Sequence, residues 1–386
     1  MNDQQIQVKG RINELDIIRG FAVMGIFFVN VPEMFGNGSA FVATYTGADA
    51  FMRLVYDLFF QTKFYTIFSF LFGLGFYLFM QSAERRGLPM KTLFTRRLFF
   101  LLLLGVTHGI FLWFGDILYT YALTGFLLLL FYNRSAKTAL VWSISLLALY
   151  TLFIGLNAVL VSSNPELMEN SGLIFSSVPD LAQRADFLLS SGLPNVLFLS
   201  LEILGLFLLG LYAGKKQWFL ETKLKIAMIK RVQWVALGVS LLMFIPMIRY
   251  GLSHPVYDIN QVYHFTYLTG KTMAVFYICT LLRLVASLGV HRFSGLAAIG
   301  RMALTNYLSQ SIVTMIIVYW IWTGASQSPL WVGMIYSILF LIVQSIVSKL
   351  WLRHYRMGPM EWVWRCATYG QWLPLRRMSA ATAESK

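Results

Sequence analysis

Two ionisable residues stand in an apolar run that leaves little room for them. Residues 98–132 read LFFLLLLGVTHGIFLWFGDILYTYALTGFLLLLFY, with His108 and Asp116 eight positions apart. An imidazole has its ordinary pKa near neutrality, so His108 has the chemistry of a general base for an acceptor hydroxyl or amine, and a carboxylate such as Asp116 can orient or polarise it. As one helix this run would be roughly 50 Å long, against a hydrocarbon core of about 30 Å, so it reads as a hairpin of two minimal passes. Gly115-Asp116 supplies the turn, because an irregular dipeptide is tolerated poorly against lipid. That reading places Asp116 at one membrane face and His108 about 12 Å beneath it, at a depth where an ionisable group is a candidate functional residue. Gly105 and Gly109 flank His108 and let a second helix approach it. The same residues read equally as a hydrogen-bonding histidine at a helix interface and a plain turn aspartate.

Other polar groups also sit where lipid is expected. Asp16 and Arg19 are three residues apart, on one face at the start of the first apolar run, and can pair as a clamp or bind an anion. Asn30, just before Pro32, offers an amide donor at the other end of that run, and Asp57 and Lys63 open the second, where they would line a vestibule beside Asp116. These five residues are the candidate substrate-binding set. Asn306 and Gln310 share a helix face and read as interhelical glue, while Glu202 and Arg283 are isolated charges with no partner evident from spacing. His254, Asp258 and His264 lack any short metal-ligand spacing, so no metal site is expected.

The elements that must position these groups follow from composition. With 58% hydrophobic and 12% charged residues, the 386-residue chain has too little polar surface for a soluble globule. An all-α polytopic membrane protein is expected, with about ten transmembrane helices near 15–32, 55–80, 98–114, 116–132, 138–161, 194–213, 232–252, 272–290, 302–323 and 330–352. The polar start at 1–9 shows no cleavable signal, so the first helix is expected to be retained. Lys and Arg then sort by parity. Lys9 and Arg11, Arg85 to Arg97, Arg134 and Lys137, Lys215 to Arg231, Arg292 and Arg301 and the tail fall on one side; the other side holds little beyond Arg53, Arg184, Arg249 and Lys271. Both termini are therefore expected in the cytoplasm, and the net charge of +14 is read as topology rather than nucleic-acid binding. Segment 162–193 fits a surface amphipathic helix, a lid or a plain loop, and 250–271 fits an aromatic outer loop. The Trp- and Arg-rich tail after Gly358-Pro359 fits an interfacial segment. Cys279 and Cys366 lie in different settings and are not expected to pair.

Five stretches carry a family resemblance: RINELDIIRGFAVMGIFFVN, KFYTIFSFLFGLGF, GVTHGIFLWFGDIL, GRMALTNYLSQS and GPMEWVWRCATYGQWLPLRR. Together they resemble the YeiB-like bacterial membrane proteins, whose C-terminal half is a domain of unknown function. The first half is more loosely similar to the transmembrane acyltransferase superfamily. The resemblance implies a single transmembrane domain over 1–386, with an acyltransferase-like half at 1–213 and the domain of unknown function at 214–386, in the bacterial cytoplasmic membrane. It also implies transfer of an acyl group from a cytoplasmic acyl-CoA donor to an envelope glycan or lipid acceptor. In it Arg96 and Arg97 correspond to the donor-contacting arginine region, with no bound cofactor beyond that donor. Many of those acyltransferases carry a histidine where this chain has Asn30, so either His108 takes the base role or the chemistry differs. The alternative from another class is a transporter or carrier of a small polar or lipid-like substrate, in which the same polar groups line a path. A carrier has no need of acyl-CoA, so binding of that donor separates the two readings.

Overall fold

The computed structural model describes residues 13–163, 175–219 and 225–377. Helices dominate: α1 (Asn13–Phe35), α2 (Gly47–Phe59), α3 (Lys63–Arg85), α4 (Met90–Phe111), α5 (Leu118–Leu128) and α6 (Ala136–Ser163) form the first half. A short α7 (Leu181–Phe187) runs through a π-helical turn into α8 (Leu193–Lys215). There follow α9 (Ile226–Ser253), α10 (Ile259–Leu288), α11 (Ser294–Arg301), α12 (Ala303–Ile316), α13 (Leu330–His354) and α14 (Pro359–Tyr369). Among the described residues nine helical segments are long and apolar enough to cross a membrane, and Leu118–Phe131 is a shorter apolar helix. The chain is a multi-pass, all-α membrane protein. Its outward-facing apolar side chains, such as Leu152, Val235, Leu242, Leu339 and Val347, form the surface that lipid would cover.

The short helix explains where the hairpin turn lies. At about 1.5 Å per residue, a segment of this length falls short of a 30 Å core, and the turn before it is packed within the bundle. Asp116 is accordingly 5% exposed. The turn is tolerated there because protein covers it: Phe114 packs on Phe41, Phe175 and Phe187, with ring centroids 5.9, 4.7 and 5.7 Å apart. Arg184 of α7 fastens this cover, donating to the carbonyls of Ile110 and Pro179 and to the Tyr319 hydroxyl, each at 2.8 Å. Part of the expected 162–193 connector thus forms a helical cover; 164–174 lies outside the described residues.

The second expected outer loop is largely helix. Only 254–258 connect α9 to α10, and 259–271 form the first turns of α10. In the connector, Val256–Asp258 pairs antiparallel with Thr44–Thr46, giving a two-stranded ribbon (β1 with β2) that spacing alone does not reveal. Lys271 is carried inside the bundle as a result. It pairs with Glu202 of α8, donates to the Tyr65 hydroxyl at 3.0 Å and lies 3.6 Å from the Tyr267 ring centre, so Glu202 has the partner its own segment does not supply. Arg283 likewise meets Gln233 of α9. Asn306 and Gln310 bond across to Ser348 and Gln344 of α13, as their spacing predicts. Cys279 and Cys366 are both free thiols.

Candidate functional site

His108 and Asp116 come together. His108 lies in the last turn of α4, where its carbonyl accepts from the amides of Leu112 and Trp113, both at 3.0 Å, while Asp116 sits just before α5. Oδ1 of Asp116 accepts from the amides of Leu118 and Tyr119 at 2.7 and 3.2 Å, so the carboxylate caps α5 at its positive end. The other oxygen is left for the site. Oδ2 lies 2.8 Å from His108 Nδ1 and accepts from the Tyr307 hydroxyl at 3.3 Å. Gly105 is required for this closure, because a β-carbon there would strike the Tyr119 amide and crowd Asp116.

The imidazole is 1% exposed, its ring lying 5.3 Å from that of Tyr307 and 6.5 Å from that of Trp113. Among the described residues neither ring nitrogen makes a well-aligned hydrogen bond. At 2.8 Å the Nδ1 contact with Asp116 is therefore close but off-line, an electrostatic pairing that favours the proton on Nδ1. Among the described residues no protein group donates to Nε2, whose lone pair is left available.

On the other side of Tyr307 lies a cavity of about 350 Å³. Its inner end is formed by Ile117, Leu118, Tyr121 and Tyr307, its middle by phenylalanines of α3 and α4, and its mouth by Arg19, Arg97, Arg301, Arg365, Glu361 and Trp364. Four guanidiniums against one carboxylate make the mouth electropositive. Tyr307 forms a wall shared with the pair: its ring lines the cavity, and its hydroxyl reaches Asp116.

Helix α14 builds that mouth. Glu361 accepts from the Leu304 and Thr305 amides at 2.7 and 3.2 Å and from the Thr305 hydroxyl at 2.6 Å, docking α14 on the start of α12. Burial pushes the Glu361 carboxyl upward in pKa, while these hydrogen bonds pull it back. Trp364 donates its indole N–H to the Arg97 carbonyl at 2.9 Å, and the Arg97 guanidinium lies 3.7 Å from the Trp364 ring centre. Arg97 is thereby held at the mouth. Arg96, its neighbour, is exposed and does not line the cavity.

Comparison with known proteins places the chain in a family. It is 33% identical to the uncharacterized protein YxaH of Bacillus subtilis (strain 168), covering 95% of this chain and 96% of that one. It is 30% identical to an uncharacterized 39.9 kDa protein in the amylase 3' region of Bacillus acidopullulyticus, covering 96% and 97%, and 26% identical to YeiB of Escherichia coli (strain K12), covering 92% and 95%. Residues 213–371 match the family described as a protein of unknown function (DUF418). The chain belongs to the YeiB-like, DUF418 family.

In this DUF418 protein the remaining candidates divide by place. Asp16 pairs with Arg19 at 2.9 Å, and Arg19, which also reaches the Gly300 carbonyl at 3.5 Å, lines the cavity mouth. Asn30 is half-buried on α1 and does not line the cavity. Asp57 and Lys63 belong to a separate cluster rather than to a vestibule beside Asp116. Arg53 donates to both Asp57 oxygens at 3.0 and 3.3 Å, and the Tyr257 hydroxyl adds a bond at 2.9 Å. Lys63, 0% exposed, donates to the Asp57 carbonyl at 2.5 Å and to the Thr269 hydroxyl at 3.1 Å. These bonds tie the α2–α3 junction to β2 and α10, so the charges face each other instead of open space. Tyr307, Trp364 and Glu361 were not singled out as site residues from sequence. Their signal lay in the quoted GRMALTNYLSQS and GPMEWVWR stretches, but nothing local links them to His108.

Proposed function

We propose that this protein transfers an acyl group from an acyl-CoA donor, bound at the arginine-lined mouth, to an acceptor hydroxyl or amine near His108. The observation that supports this most directly is the cavity: a basic mouth suited to phosphates, an apolar shaft suited to an acyl chain or pantetheine arm, and an inner wall bonded to the His108–Asp116 pair. In this reading Arg97 and Arg19 hold donor phosphates, with Arg96 at most an outer contact and Asp16 orienting Arg19. By the positive-inside rule the mouth faces the cytoplasm, as do both termini, and the protein resides in the bacterial cytoplasmic membrane.

The reaction would run in one displacement. The acceptor O–H or N–H loses its proton to Nε2 of His108 as its oxygen or nitrogen bonds to the thioester carbonyl carbon; the C–S bond then breaks, and the coenzyme A thiolate leaves and takes up that proton. Asp116 stabilises the transient imidazolium, and Tyr307 orients Asp116. The acceptor, an envelope glycan or a lipid, is expected from the opposite end, where the aromatic cover over Trp113 and Phe114 would have to part.

Calorimetry on the detergent-purified full chain tests the first step. Acetyl-CoA should bind, and Arg97→Ala should weaken it about tenfold, the order expected for one lost charge-assisted phosphate contact. Absence of binding would remove the donor and favour a carrier. Mass-spectrometric profiling of acyl groups on envelope glycans and lipids, with and without the protein, then identifies the acceptor.

A further inference from the structure

A second basic site lies away from the cavity, in a groove between α9 and α10. The groove encloses about 440 Å³ and is lined by Gln233, Thr280, Arg283 and Ser287 together with apolar residues of both helices. Arg283 is the unusual member, a charge within a membrane-crossing helix. It donates to Oε1 of Gln233, and Gln233 in turn donates to the Thr280 hydroxyl at 2.7 Å, which itself bonds to the Phe276 carbonyl at 2.7 Å. Gln233 is buried and fixed by these bonds. Among the described residues no carboxylate pairs with Arg283, and Gln233 is its one hydrogen-bond partner, so the remaining N–H groups of the guanidinium are left to the groove it lines.

The position of this groove indicates an occupant. Arg283 is five residues from the end of α10 at Leu288, hence about 7–8 Å below that end, the depth of a phospholipid phosphate and glycerol rather than of the mid-bilayer. Ile226, Gln233 and Lys230 share one face of α9, which adds an exposed ammonium one turn nearer the same end. Below the groove both helices turn apolar side chains outward, Val235, Leu242 and Val275 among them, where acyl chains can lie. We propose that this groove binds the phosphate of an anionic phospholipid, with Arg283 as the principal contact and Ser287 at the rim. The proposal stands independently of the acyl-transfer reading, because none of these residues lines the arginine-mouthed cavity.

The test is native mass spectrometry of the full chain in detergent with added phosphatidylglycerol or phosphatidylcholine. The wild-type chain should retain one phosphatidylglycerol with about tenfold preference, as expected where a charge-assisted contact is made only to the anionic lipid. Arg283→Gln should abolish the preference, and Arg97→Ala, at the other basic site, should leave it intact. Ser287→Trp fills the groove while keeping both Arg283 and Gln233 in the chain, so it decides the matter should Arg283→Gln fail to fold; it should also lose the retained lipid. Retention by the folded variants of the groove, or loss in Arg97→Ala instead, overturns the assignment. Displacement of the lipid by millimolar inorganic phosphate would overturn it too, in favour of a free-anion site.

Discussion

His108 meets two conditions that conflict in most buried histidines: one ring nitrogen is held beside a carboxylate, and the other has no partner among the described residues. A histidine serving only as structural glue has both nitrogens satisfied, because an orphaned buried acceptor costs about 1–3 kcal/mol. On the acyl-transfer reading, His108→Ala should lower transfer by about 10²–10⁴-fold while leaving the amount of folded protein unchanged. Asp116→Asn should cost about as much, since it alters both the tautomer and the charge facing the ring. Tyr307→Phe should be milder, about tenfold or less, because it removes a single long neutral donor. A radiolabelled acetyl-transfer assay on the three variants checks this order. Equal activity in all of them would place the base elsewhere.

Helix α14 is short and lies outside the membrane-crossing set, yet it organises the cavity mouth. Its Glu361 caps α12, so Glu361→Ala should destabilise the protein by about 1–2 kcal/mol, read as a lowered thermal unfolding midpoint in detergent. The same change should weaken acetyl-CoA binding, because Trp364 and its hold on Arg97 depend on where α14 docks. Here the sequence is legible in part. The Trp- and Arg-rich stretch after Gly358-Pro359 announces an amphipathic segment, but only the folded chain shows that it reaches the start of α12 through Glu361. The α4–α5 hairpin is legible for the opposite reason: both its ionisable residues lie within one local turn. Its depth was not, since burial of the Asp116 turn depends on Phe41, Phe175 and Phe187 from distant segments.

For the whole molecule, apolar run length marks where the apolar helices lie and in what order, because each must hide its own backbone from lipid; ten passes are expected, and among the described residues nine segments are long enough to cross, Leu118–Phe131 being shorter. Which passes touch is not legible in the same way. Helices from before and after residue 213 pack against each other, α1 on α11, α12 and α13, and α3 on α10. Orientation remains tied to the basic residues, and cysteine labelling checks it: Ser253→Cys, exposed at the end of α9, should react with an impermeant maleimide on intact cells, whereas Arg86→Cys, exposed at the arginine end, should react only after permeabilisation. Reversal of that pattern would invert the proposed flow from donor to acceptor. The Glu202–Lys271 pair also has a consequence for biosynthesis. Glu202 emerges from the ribosome before the residue that neutralises it, and at about 5–20 residues per second the delay is roughly 3–14 seconds. During that interval a carboxylate is held within a hydrophobic helix without its ammonium, and Lys63 awaits Thr269 in the same way. The nascent chain therefore depends on the insertion machinery until α10 arrives, and a chain terminated at 258 should be degraded rather than accumulate, which pulse-chase labelling would reveal.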